Sequence, residues 1–257
     1  MPAATQSPSL NRPTSGPTLF ARYAYPPNRL GLCGPDDAPA LRDGAIERAD
    51  DELRHLATRF EGAFPYLELI ARENGLADPL DRRVVEGYWL GNELTARVRT
   101  PALARSLHER FAGRMGRRSW EWLERSVGGG SRPIHAFHVM EIFPRAGLMR
   151  GGGDDLPLLA TMDACRIRWG TLVSITGDEL VVSAPHLELA AGKLRIGPPR
   201  LDTVTGWWDA DGPLGGIQIG EPVSLHWGWA CDRLRPPQLR RLTRWTESAI
   251  AIANQTI

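Results

Sequence analysis

Few side chains in this chain have types and spacings suited to chemistry, and most of them are cysteines and histidines. Cys33 stands between Gly31 and Gly34 in a stretch, Tyr25 to Asp37, dense in Pro, Gly and Asp. That setting suits an accessible thiol on a structured loop, although Asp36 and Asp37 read equally well as caps for the helix that follows. His135 and His138 form an H-x-x-H pair with weakly ligand-like spacing. A helical turn would bring the two rings together, whereas the odd offset sends them to opposite faces of a strand, and the surrounding run reads as a strand. Taken alone, Cys165 and Cys231 are small buried hydrophobes, and His226, alternating with Leu225 and Trp227, is a strand histidine. Gly151 to Gly153 lack the Lys-Ser/Thr pair and helix start of a phosphate loop. No nucleophile elbow or catalytic-triad spacing is present, so nothing demands an enzyme.

The elements that must position these residues fall into two regimes. Residues 1–18, rich in Pro, Ser, Thr and Gly, read as a disordered leader. From 19 to 130 the apolar spacing is helical: Ile46, Ala49, Leu53, Leu56, Phe60 and Phe64 recur at three or four residues. Pro65 suits the first turn of a further helix and Gly75 its left-handed end, while Thr100 and Pro101 form another start signal. The run Gly128 to Gly130 breaks this pattern. Residues 131–161 read as one strand, from Ile134 to Phe143, plus a glycine-rich connector. Beyond them, Arg166 to Ile175 and Glu179 to Ala184 flank a Thr-Gly-Asp turn that fits a hairpin, and Val223, Leu225 and Trp227 alternate again. The stretch from Lys193 to Gly220 reads as a long loop. Pro236 and Pro237 open an amphipathic helix through Leu239, Leu242, Trp245, Ala249 and Ile252.

Residues 162–257 resemble the small HypC/HupF-type chaperones that assemble the nickel-iron hydrogenase active site. Cys165 is followed at the family's offsets by Trp169 and Gly170, then by Leu172, Val173, Ile175, the turn Gly177-Asp178 and Val181-Val182. A second block reads Gly220, Glu221, Val223, Leu225, His226, Trp227, Gly228, Trp229 and Ala230 before a terminal helix. The resemblance implies that Cys165 is a thiolate ligand and His226 the nearby imidazole for a transient iron carrying cyanide and carbonyl ligands. Thiolate and imidazole are chemically apt, and an incomplete protein shell suits transfer better than storage. The departures are specific. Cys165 is internal, Trp169 replaces a proline, and Arg240, Arg241 and Arg244 stand where the family's helix is acidic.

The expected fold class is therefore α+β, with a helical N-terminal domain followed by a small OB-like β-barrel and a C-terminal helix. The resemblance implies a non-catalytic accessory whose partners are the hydrogenase large-subunit precursor or maturation proteins. The rival reading is an enzyme or small-ligand binder with a site between the two domains, using Cys33, His135 or His138; a third is a pure protein-docking module. The chain's 31 basic and 30 acidic residues nearly cancel, leaving no field that favours nucleic acid or an anionic membrane. Its three cysteines are too few for a disulfide framework, and no apolar run approaches the ~20 residues of a spanning helix. The cytoplasm is the expected compartment.

Overall fold

Ser15 accepts the Thr18 N–H through its hydroxyl and Pro17 sits in the first turn, so a helix begins at Gly16, inside the segment expected to be a disordered leader. Gly16 to Thr18 are buried because the helix packs directly into the core. The computed structural model describes residues 14–47, 50–128, 130–146, 158–177, 179–206 and 212–255. The remainder of the expected leader, Gly151 to Gly153, and Trp207 and Trp208 lie outside the described residues.

The helical part comprises α1 (Gly16–Asn28), α2 (Ala38–Glu47), α3 (Asp50–Thr58), α4 (Phe64–Glu73), α5 (Arg82–Leu90), α6 (Glu93–Arg97), α7 (Thr100–Phe111) and α8 (Arg117–Gly128). The stripe read from Ile46 to Phe64 is divided among α2, α3 and the start of α4, with Leu53, Leu56 and Phe60 buried. Pro65 occupies the first turn of α4, and Gly75, at φ 68°, follows its end while Leu76 N–H reaches the Ala71 carbonyl. Thr100 is itself helical rather than the cap, which is Arg99 and makes no side-chain capping bond.

The expected strand from Ile134 to Phe143 is instead helical. It runs as α9 (His135–Phe137), a π-turn over His138–Ile142, and α10 (Phe143–Ala146). Every residue from Pro133 to Ile142 is buried, so no polar face marks a 3.6-residue period, and β-branched content misdirects the reading. α11 (Leu158–Cys165) is likewise a helix that ends on Cys165, and the strand begins only at Arg168.

Five strands follow: β1 (Arg168–Thr176), β2 (Glu179–Ala190), β3 (Lys193–Gly206), β4 (Pro222–His226) and β5 (Trp229–Arg233), before α12 (Pro236–Ala253). The stretch expected to be a loop after Lys193 thus contains the long strand β3. Its prolines are accommodated where Pro199 faces Pro185, beside a register shift in β2. The pairing order is β1-β2-β3-β5-β4, with β4 returning to β1 and a short parallel contact joining β3 to β5. Leu172, Leu180, Val182, Val204, Val223 and Leu225 fill the interior of this curved sheet.

A second, larger core runs from Leu19 through Trp89 and Val139 to Leu187, Leu194, Leu242 and Ala253, so helices and sheet share one apolar interior. α12 seals it: the Asn254 side chain makes both hydrogen bonds of a strand neighbour to Leu194 (2.8 Å each), and Trp245 packs over Gly91 at the end of α5. Among the described residues, no helix is long and apolar enough to cross a membrane.

Gly91 has φ 76°, and a Cβ placed there would collide with the Trp245 indole. Gly91→Ala should destabilise the protein by about 2–4 kcal/mol, combining left-handed strain with overpacking. Gly75→Ala, at φ 68° but facing open space, should cost only about 1–2 kcal/mol. Urea unfolding of both variants measures the difference, and equal losses would remove Trp245 as the cause.

Candidate functional site

The site is assembled at a turn. His226 ends β4 and pairs across the sheet with Trp229; the linking residues Trp227 (φ 49°) and Gly228 (φ 70°) both take the left-handed conformation. For a bulky residue such as Trp227 this conformation costs about 1–3 kcal/mol, so surrounding structure must impose it. Its backbone N–H donates to the Ala164 carbonyl (2.9 Å), which fastens the turn to the end of α11. This bond and the β1–β4 pairing of Arg168 with Leu225 together bring Cys165 and His226, 61 positions apart, side by side.

A third residue completes the group. One ligand atom from each of His135, Cys165 and His226 lies within 4.8 Å of the others. His135 Nε2 is 3.9 Å from Cys165 Sγ, and the rings of His135 and His226 meet edge to face at 5.2 Å between centroids. His138 stands next to His135, with centroids 6.5 Å apart and planes within 14°. The odd offset expected to separate these two rings instead joins them, because the segment is helical. Cys33, in the loop between α1 and α2, lines the same cavity. All five residues picked out by sequence therefore border one space of about 900 Å³, although Cys33 and His138 fall outside the close set of three. Cys231 does not line it: it is fully buried and directs its sulfur to the Trp229 carbonyl.

Hydrogen bonds specify which nitrogen can act. His226 Nδ1 lies 2.7 Å from the Tyr23 carbonyl, an acceptor only, so Nδ1 carries the proton and Nε2 presents its lone pair. That Nε2 is buried and has no hydrogen-bond partner among the described residues. His135 rests in the opposite tautomer: Nε2–H donates to the Cys165 carbonyl (2.8 Å), and Nδ1 accepts from Tyr88 Oη (3.2 Å). A hydroxyl can also accept, so moving the proton to Nδ1 would turn the Tyr88 bond around and free Nε2 beside the sulfur. These supporting bonds are the kind that orient a ligating imidazole and fix its tautomer.

The surroundings keep the group uncharged. Burial pushes the Cys165 thiol up to about 12, against an opposing pull from the Trp227 indole N–H. Burial takes His135 down to about 4, opposed by its bond to the Cys165 carbonyl. His226 falls to about 3 through burial first and the neighbouring His135 second, with the Tyr23 and Cys165 carbonyls acting the other way. His138 is held well below the ordinary range by burial, then by Arg110 and His135. Burial also raises the Cys33 thiol, and proximity to Cys165 adds to the effect. Neutral imidazoles and a thiol that ionises on contact with a cation form a donor set suited to a soft or borderline transition metal.

Sequence reading did not find Tyr23, Tyr66 or Tyr88, which hold the imidazoles from behind through a carbonyl and two hydroxyls. The available signal was the polar tip of a tyrosine on an otherwise apolar helix stripe, which must find a partner when buried. Trp89 packs its ring on both His135 (4.8 Å) and His226 (5.9 Å), and it too carries no marker in the sequence.

Because the folded-state pKa values of His135, His138 and His226 lie below that of an exposed imidazole, the unfolded chain binds more protons in acid. Their contribution to stability is complete above about pH 6.5 and is lost as pH falls towards the folded values. His135 and His226 should each contribute a loss of about 2 kcal/mol between pH 7 and pH 5, and His138 adds to it in the same direction. Urea unfolding at the two pH values should show this loss, with a smaller one in His226→Gln. An unchanged difference in that variant would mean His226 titrates normally in the fold.

The chain matches no curated protein and no solved structure. A family model does cover nearly all of it, over residues 12–257, and is described as a family of unknown function. The chain is a member of that family, DUF6390.

Proposed function

We propose that this chain is a non-catalytic accessory of nickel-iron hydrogenase maturation that holds an iron fragment, bearing cyanide and carbonyl ligands, at Cys165, His226 and His135. The observation that carries this reading is the buried Nε2 of His226, without a hydrogen-bond partner among the described residues, beside Cys165, because these two residues also carry the two sequence blocks of the resemblance. Two imidazoles and one thiolate resemble in number the three-residue sets that leave several positions of an iron ion open for small ligands. An open shell favours release to a partner, here the hydrogenase large-subunit precursor or a maturation protein, in the cytoplasm. The pairing order β1-β2-β3-β5-β4, with its parallel β3 to β5 contact, supports an OB-like barrel for the sheet.

The helical part supplies what a lone barrel lacks. His135, Tyr88 and the Tyr23 carbonyl all come from helices, as does most of the cavity wall. In this reading they replace surfaces that stand-alone chaperones obtain from their partners. One observation favours a second reading: a cavity of about 900 Å³ is large for a metal fragment and falls in the range used by small organic ligands. A small-ligand-binding protein or enzyme with its site between helices and sheet is therefore the alternative.

Protein purified anaerobically from its native host should carry iron and show cyanide and carbonyl infrared stretches, both lost in Cys165→Ala. Normal hydrogenase maturation in a Cys165→Ala strain would sink the carrier reading, and partner capture without iron would point to a docking module. Metal affinity supplies a separate check. The histidines are already neutral at pH 6 to 8 and the thiol is protonated, so binding should release one proton. Affinity for Co(II) should then rise about tenfold per pH unit across that range, a dependence absent in Cys165→Ser.

A further inference from the structure

We infer that His138 is a second metal position, which receives an ion at the open side of the cavity and passes it to His135, Cys165 and His226. This rests on the reading of those three residues as a metal site, and it assigns a task to the one imidazole beside them that the set of three leaves unused.

Three observations converge on it. His138 duplicates the support given to His135: Tyr66 Oη contacts its Nδ1 at 3.2 Å as Tyr88 Oη contacts that of His135, and the two tyrosine rings stack at 5.7 Å. With Nδ1–H donating to Tyr66, Nε2 carries the lone pair. That Nε2 faces Gly62, since a Cβ built on Gly62 would sit 3.6 Å from it. Gly62 is half-buried and belongs to the chain segment between α3 and α4 that lines the cavity with exposed Thr58, Arg59 and Glu61. Its backbone does not adopt the left-handed conformation, so no turn requires glycine here; the missing side chain leaves an approach to His138.

The order in space is then Gly62 at the rim, His138, His135 one helical turn away, and finally Cys165 with His226. Neighbouring imidazoles in near-parallel planes allow a metal to exchange one nitrogen for the next without entering water. The rim opposes no cation, because Arg59, Arg110 and Arg114 are matched there by Glu61, Glu68 and Glu109. Arg110 lies over the Tyr66 ring at 4.4 Å, on the tyrosine whose hydroxyl meets His138 Nδ1.

The test is stopped-flow loading of Co(II) into the anaerobic full-length protein, read by the thiolate-to-cobalt charge-transfer band. His138→Gln should slow loading by about tenfold or more while the equilibrium affinity changes by less than about threefold. Unloading to a chelator must then slow in parallel, because the ratio of the two rates is the affinity. Gly62→Val, which narrows the approach and leaves His138 in place, should slow loading in the same way. Wild-type loading rates in both variants would overturn the transfer role. So would a loss of affinity in His138→Gln with loading unchanged, which would make His138 a permanent ligand. Absence of the band in the unaltered protein would instead overturn the metal site itself.

Discussion

The hydrogen bond from the Trp227 backbone N–H to the Ala164 carbonyl extends the β1–β4 pairing, in which Arg168 faces Leu225, beyond the end of the strands. It joins the β4 to β5 turn to the last residues of α11, and so sets the distance between the imidazole of His226 and the sulfur of Cys165. Trp227 must adopt a left-handed conformation to make it, and the following Gly228 continues the same turn at no steric cost. Strain of this kind persists only where neighbouring structure imposes it. Here the indole lies against the cavity and its N–H eases ionisation of Cys165.

The other end of that link is held by charge. Arg166 follows Cys165 and is completely buried; its guanidinium is bound by Asp163 (2.9 Å) and the Pro185 carbonyl (2.8 Å). Asp163 also accepts the Leu187 N–H and contacts His186, whose other nitrogen meets Asp202, itself paired with Arg168. A buried charge left alone would be strongly destabilising, so this chain of partners fixes α11 against β2 and β3 within narrow limits. The rigidity bears directly on Cys165, which lies between Asp163 and Arg166.

The low polarity around the site decides its chemistry more than any single contact does. Carboxylates are confined to the rim, and the inner wall is built from Tyr88, Trp89, Trp227 and Phe60. In such surroundings an imidazolium or a free thiolate is costly, and the histidines stay neutral while the thiol stays protonated. A bound cation reverses that preference for the thiol, since the metal supplies the countercharge that the protein withholds. The same apolar shell limits water around anything held there.

Covalent or periodic signals in the residues alone mark several local elements: the helix opened by Pro65 and closed at Gly75, the terminal helix after Pro236 and Pro237, and the hairpin around Gly177. The motif blocks likewise pair Cys165 with His226, although nothing local fixes their separation in space. Tertiary structure decided the rest. The segment from His135 to Ile142 is helical yet wholly buried, and a helix without a polar face has no readable period; only its packing turned an H-x-x-H pair from divided to adjacent. Lys193 to Gly206 contains two prolines that argue against a strand, and a register shift in the facing strand admitted them. The tyrosines and carbonyls that orient each imidazole come from α1, α4 and α5, and hydrogen bonds between residues 47 to 203 positions apart leave no trace in local spacing.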